Sequence, residues 1–198
     1  EAIILDVRHQ DEFVKGHIPQ SIFIGIDGGF APWVGALIAD VKQPILLITP
    51  EGREEETVTR LSRVGFDGTT GYLKGSFEAW KKAGKDYDTI TSIQAEEFKK
   101  SEAKTQPRVF DVRKESEYQS EHVLDAENTP LDFLNNHMVE FPKEETFYVH
   151  CAGGYRSVIA ASILKSRGIH NLINIDGGFG ALKEVGVPVS NFVCPTTL

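Results

Sequence analysis

The amino-acid sequence repeats itself, and the repeat limits the available folds more than any other feature. Ile4-Leu5-Asp6-Val7-Arg8 is echoed by Val109-Phe110-Asp111-Val112-Arg113. Glu12-Phe13 answers Glu117-Tyr118, and His17-Ile18 answers His122-Val123. Ile45 to Ile48 answers Phe147 to His150, and Gly75-Ser76-Phe77 answers Gly177-Gly178-Phe179. A solenoid needs shorter units and at least three of them. Two copies of one small domain fit the 198 residues better. The reading is one domain over 1–88 and a second over 89–198, joined by the polar stretch near Lys85 to Ser92.

Each copy alternates short apolar runs with amphipathic stretches. Val109 to Val112, Phe147 to Val149 and Leu172 to Ile175 read as buried strands. Arg156 to Arg167 reads as a helix, with Val158, Ile159, Ile163 and Leu164 on helical spacing and Gly168 as its cap. This alternation predicts the α/β class: two domains, each a parallel β-sheet flanked by helices. The second copy carries an extra lead-in, Ile93 to Phe98, that reads as a strand end and a helix start. The first copy has no equivalent, so its own lead-in is expected upstream of Glu1, with the chain as a fragment of a longer protein or with a disordered or processed N-terminus.

Composition narrows the partners. The net charge of −8 argues against nucleic acid and against an anionic membrane surface, both of which need a basic patch. No apolar run approaches the ~20 residues of a spanning helix, and no signal peptide is visible. Two cysteines, Cys151 and Cys194, are too few for a disulfide framework, which favours a reduced, cytoplasmic setting.

The chemistry concentrates at His150-Cys151-Ala152-Gly153-Gly154-Tyr155-Arg156-Ser157, where a buried strand meets a helix. The glycines can take positive φ, so successive N–H groups can form an anion-binding nest, and the helix start adds positive potential. Arg156 adds a charge and a planar donor fork. Such a cradle favours a thiolate over a thiol and can hold an oxyanion or the outer sulfur of a persulfide. Cys151 and Arg156 are therefore the candidate catalytic residues. Ala152, Gly153, Gly154, Tyr155 and Ser157 are the candidate substrate contacts; Tyr155 stays open between pocket wall and packing, and Ser157 between thiol contact and helix cap. Cys151 to Arg156 closes a six-residue ring. Cysteine phosphatases use one residue more, which disfavours a phosphatase or arsenate reductase.

On these residues the second copy resembles the rhodanese (sulfurtransferase) domain: Asp-Val-Arg with Glu117-Tyr118, His122, the Cys151–Arg156 loop and Gly177-Gly178-Phe179. The resemblance implies that Cys151 carries sulfur. It would take a sulfane sulfur from thiosulfate or a low-molecular-weight persulfide such as glutathione persulfide, and pass it to an acceptor thiol or cyanide. His122-Val123-Leu124-Asp125 departs from the family's His-Ile-Pro-Gly and predicts a local loop change. The pairing of the copies also resembles the C-terminal part of fusions that begin with a metallo-β-lactamase-fold domain, through Phe30 to Gly35 and Gly52 to Glu56. An upstream domain of that kind is the expected partner. The His-x-His-x-Asp-His metal signature is absent from this chain, so neither metal nor cofactor is implied. A docking or sulfur-relay module within such a fusion is the alternative to an independent enzyme.

The first copy resembles a rhodanese domain without its nucleophile. Thr49 or Pro50 stands at the cysteine position, in a loop read as one residue shorter, and Glu51 and Glu54 to Glu56 repel an anion. This copy is expected to be structural or partner-binding. Because it keeps Asp6, Arg8 and Glu12 with no cysteine to serve, Asp111, Arg113 and Glu117 are read as structural, with an Arg113–Glu117 ion pair. His17, His122 and His150 are read as packed residues, and Cys194, in its Cys-Pro tail, as a chain-end residue rather than a resolving thiol.

Overall fold

The computed structural model describes residues 2–194 and divides into two compact units, Glu1–Thr89 and Ile90–Leu198. In the first unit the elements run β1 (Ile3–Asp6), α1 (Gln10–Lys15), β2 (Ile22–Phe23), α2 (Phe30–Leu37), β3 (Ile45–Ile48), α3 (Glu54–Ser62), β4 (Thr69–Tyr72) and α4 (Ser76–Lys82). The second unit opens with β5 (Ser92–Ile93) and α5 (Ala95–Thr105). It continues through β6 (Arg108–Asp111), α6 (Glu115–Ser120), β7 (Glu127–Asn128), a 3₁₀ segment (Leu131–Asn136), β8 (Phe147–His150), α7 (Tyr155–Ser166), β9 (Leu172–Ile175) and α8 (Gly178–Glu184).

Every strand pairing is parallel, in a four-stranded sheet of order β2-β1-β3-β4 and a five-stranded sheet of order β5-β9-β8-β6-β7. The central strands are runs of apolar residues, as sheets covered on both faces require. Phe110, Phe147 and Val149 are fully buried. On one side of the second sheet Phe98, Val109, Ile175, Leu182 and Val187 pack together. Elsewhere in that core Phe110 meets Phe141 and Phe147 at ring distances of 4.6 and 5.2 Å. The lead-in at Ile93 forms β5, which pairs with β9.

The α7 helix differs from the amphipathic reading. Its residues from Ser157 to Leu164 are all buried, because it lies between the sheet and the 3₁₀ segment. Ala160, Ala161 and Ser162 are small enough to let it be covered all round.

Sheet order fixes where chemistry can occur. From β6 the chain moves to β7 on one side, and β8 and β9 lie on the other. The crevice between the carboxyl ends of β6 and β8 is therefore a topological switch point, the usual ligand position in parallel sheets. Asp111 ends β6, and His150 and Cys151 lie at the end of β8.

Both units brace this edge with the same parts. Asp6 binds Arg8 at 2.6 Å, and Asp111 binds Arg113 at 2.6 Å. Each arginine also donates to a backbone carbonyl after the next helix, Gly16 or Glu121, and lies over an aromatic ring, Phe77 at 4.6 Å or Phe179 at 4.0 Å. His17 stacks on Phe13 and His122 on Tyr118, each with Nδ1 against the backbone of its stacking partner. The structural reading of Asp111, Arg113 and both histidines holds. The loop change predicted after His122 is confined to bonding: Leu124 stands where the first unit has Pro19, and its N–H donates to the Pro188 carbonyl oxygen, while the turn itself is kept. Gln20 and Asp125 occupy matching places with φ of 66° and 62°, so Asp125 adopts the same left-handed turn without glycine.

Candidate active site

Cys151 follows β8 directly and is buried, 1% exposed, while Ala152 and Gly153 beside it are open to solvent. Gly154 turns the chain at φ 105° and caps α7. That turn aims the Gly154 N–H at the sulfur, 3.1 Å from Sγ. Ser157, one turn into α7 and fully buried, places Oγ 3.6 Å from Sγ and 3.3 Å from the Gly154 carbonyl oxygen. Its hydroxyl can thus serve the helix start or the sulfur. The Gly154 N–H and the Ser157 hydroxyl are thus within reach of Sγ.

A second loop holds the first from below. The N–H groups of Phe179 and Gly180 donate to the carbonyls of Cys151 and Ala152 at 2.7 and 3.3 Å. Gly178 makes this possible. Its φ is +56°, and a Cβ there would collide with the carbonyl oxygen of Cys151. The Gly177-Gly178-Phe179 run was visible in the sequence as part of the repeat, but its contact with the cysteine loop was not.

The charges are arranged differently from the sequence reading. Arg113 belongs to Asp111, not to Glu117. Glu117 instead grips Arg156 with both carboxylate oxygens, at 2.6 and 2.9 Å. The predicted Arg113–Glu117 pair is wrong because Arg113 turns inward over Phe179, which leaves Glu117 facing the active-site loop. The pair is mutual. Hydrogen bonding to Arg156 holds the Glu117 carboxyl below its usual range. Glu117 in turn raises Arg156 against the opposing effect of burial, with Cys151 and Asp111 adding smaller attractions. Arg156 therefore lies within the electrostatic reach of the thiol, but its planar fork, expected to cover the cradle, is already occupied.

His150 is fully buried, and burial pushes its imidazole below the usual range. Its Nδ1 lies 3.2 Å from the Cys151 carbonyl oxygen, and Nε2 has no hydrogen-bond partner, with Asp111 Oδ2 3.9 Å away. It is a neutral packed residue here. Tyr155 is partly exposed at the start of α7. Cys194 is exposed, next to Val193, which is tied to Ser120 of α6; Pro195 lies outside the described residues. Among the described residues no group of three or more His, Cys, Asp or Glu could hold a metal ion, and no helix is long and apolar enough to cross a membrane.

The matching loop of the first unit is not shorter. Ile45–Ile48 matches Phe147–His150, Gly52 at φ 82° matches Gly154, and Gly75 matches Gly177, all at one constant offset. Thr49 thus takes the place of Cys151, Arg53 that of Tyr155 and Glu54 that of Arg156. Arg53 is held by Asp27 and Glu56 at 2.7 and 2.9 Å. The Thr49 hydroxyl is buried without a hydrogen-bond partner.

The rhodanese-like domain family matches the chain twice, over residues 1–83 and 94–184. An uncharacterised protein of Bacillus subtilis, YqhL, is 33% identical over 90 residues, 46% of this chain and 70% of YqhL. A sulfurtransferase of Allochromatium vinosum is 27% identical over 101 residues, 50% of this chain and 94% of that protein. A solved rhodanese-like domain protein from Staphylococcus aureus is 29% identical with a TM-score of 0.47, covering 52% of this chain and all of its own. The chain belongs to the rhodanese-like domain family, and carries two copies of its domain.

Proposed function

We propose that the second unit is a sulfurtransferase that works through a persulfide on Cys151. The observation that carries this reading is the sulfur itself: Cys151 Sγ is buried and accepts the Gly154 N–H at 3.1 Å, on a loop held by the start of α8. A thiolate there attacks the outer sulfur of a donor R–S–SH. The donor's S–S bond breaks, R–S⁻ leaves, and Cys151 becomes a persulfide. An acceptor thiolate then attacks the outer sulfur, forms its own persulfide and restores the Cys151 thiolate. With thiosulfate the leaving group is sulfite.

Backbone donors are well suited to this task, since they stabilise a compact anion without a proton to lose. His150, weakened as a base by burial and with Nδ1 against the Cys151 carbonyl oxygen, takes no part. The first unit has no thiol at Thr49 and serves packing or partner binding. An upstream metallo-β-lactamase-fold domain belongs to the same proposal as a partner that handles low-molecular-weight persulfides; its support is the resemblance of Phe30 to Gly35 and Gly52 to Glu56 alone.

Intact mass after incubation with thiosulfate or glutathione persulfide tests the proposal. The expected result is one added sulfur, lost on treatment with cyanide or a thiol and absent from Cys151→Ser. If the protein gains no sulfur from either donor, the proposal falls. Loading without turnover would leave the chain as a sulfur store rather than an enzyme.

A further inference from the structure

We infer that Glu117 sets the donor class, selecting persulfides of low charge over dianionic thiosulfate. The inference rests on the sulfurtransferase reading and concerns the same site. Its basis is the charge inventory around Cys151. Arg156 is the cation in the cysteine loop, and Glu117 binds it through both oxygens at 2.6 and 2.9 Å. Arg113, at the neighbouring strand end, is bound by Asp111 at 2.6 Å. His150 is neutral. The site therefore offers the Gly154 N–H and the Ser157 hydroxyl, while both arginines are already held by carboxylates.

The two donor classes make different demands on such a site. Attack on thiosulfate brings a thiolate and a dianion together, three negative charges in all, and sends two of them out on sulfite. Attack on a protonated persulfide involves one charge, and on an ionised persulfide two. A carboxylate at the far side of Arg156 adds repulsion that grows with the donor's charge. It also occupies the guanidinium face that would otherwise bind two sulfonate oxygens. A persulfide requires neither. Its outer sulfur needs only the cradle at Cys151.

The experiment compares kcat/KM for thiosulfate with kcat/KM for glutathione persulfide in the full chain. Glu117→Gln keeps the size and a hydrogen bond to Arg156 but removes the charge. The ratio of thiosulfate to persulfide efficiency should rise about tenfold, roughly the effect of one unit charge near a protein surface. Glu117→Asp keeps the charge but shortens the reach to Arg156, so its ratio should stay near that of the natural protein. An unchanged ratio in Glu117→Gln overturns the inference. So does an equal rise in Glu117→Asp, which would mean that Glu117 only positions the loop. If the natural protein takes sulfur from neither donor, the sulfurtransferase reading fails and the inference goes with it. If it uses both and the ratio ignores the Glu117 charge, the inference alone fails.

Discussion

Gly178→Ala tests how the cysteine loop is supported. The substitution adds one methyl group, and the structure specifies what that group meets. Its Cβ would run into the carbonyl oxygen of Cys151 and lie 2.9 Å from the carbonyl carbon and oxygen of Ala152. These are backbone atoms, so no side-chain rotation relieves the clash. The residue also has φ +56°, which costs an L-residue roughly 1 kcal/mol. That part alone is tolerable, because Ser76 takes φ 55° at the matching place in the first unit. The clash adds about 1–3 kcal/mol if the loops shift to accommodate it. A total of about 2–4 kcal/mol should lower the melting transition of the second unit by at least about 8 °C.

The functional consequence should be larger than the thermal one. Separating the loops breaks the Phe179 and Gly180 hydrogen bonds to the carbonyls of Cys151 and Ala152. Those bonds fix the peptide that sets Sγ against the Gly154 N–H. Sulfur loading should therefore slow at temperatures where the variant is still folded, as read by intact mass against circular dichroism. Gly153→Ala is the control for melting alone, since a Cβ there meets nothing within 4 Å. If Gly178→Ala melts within about 1 °C of the natural protein and loads sulfur at the same rate, the support argument is wrong.

Much of this architecture was legible in the sequence, for physical reasons. Buried parallel strands need continuous apolar runs, so Val109 to Val112 and Phe147 to Val149 could be read directly. The left-handed turn into α7 needs glycine, so Gly154 marked the nest. What the sequence hid was the choice of partner among like charges. Asp111, Arg113, Glu117 and Arg156 allow more than one pairing, and spacing does not decide between them. Arg113 goes to Asp111 because Phe179, distant in sequence, offers its ring at 4.0 Å. The first copy carried a usable signal: Glu54 takes Arg156's place there, and Glu12 keeps only the capping bond from the His9 N–H that Glu117 also makes with the Lys114 N–H. The burial of α7 on all sides from Ser157 to Leu164 was equally hidden, since the 3₁₀ segment that covers it has no strong pattern of its own.

The two copies separate what the scaffold needs from what the chemistry needs. Asp6–Arg8–Phe77 and Asp111–Arg113–Phe179 are the same brace with and without a thiol nearby. Stacked His17 and His122 behave likewise. These parts hold the carboxyl edge of a parallel sheet whether or not it reacts. Features of the second copy without a counterpart in the first include Cys151, Ser157, the Glu117–Arg156 pair and Gly178, and the proposed mechanism draws on these.

Three further outcomes follow from that division. Arg156 holds the Glu117 carboxyl below its usual range, so the pair stabilises the fold above the ordinary carboxylate pKa and is lost as pH falls through the lowered one; Arg156→Gln should move acid unfolding, followed by circular dichroism, to higher pH. Burial keeps His150 neutral, so the unfolded chain binds a proton near pH ~6.5 that the folded chain does not; stability should fall below that pH by up to about 1.4 kcal/mol per unit, and urea titrations of His150→Gln should show a flatter fall. Thr49→Cys, made in a Cys151→Ser background, places a buried thiol at the end of β3, before a Gly52 turn that matches Gly154. It should nevertheless gain no sulfur by intact mass, because Pro50 lacks an N–H, Glu51 flanks the loop, Glu54 replaces the arginine, and Arg53 is held away by Asp27 and Glu56. Loading at a rate comparable to Cys151 would show that a buried thiol and a left-handed glycine suffice, and that the charged neighbours of the second unit are incidental to sulfur transfer.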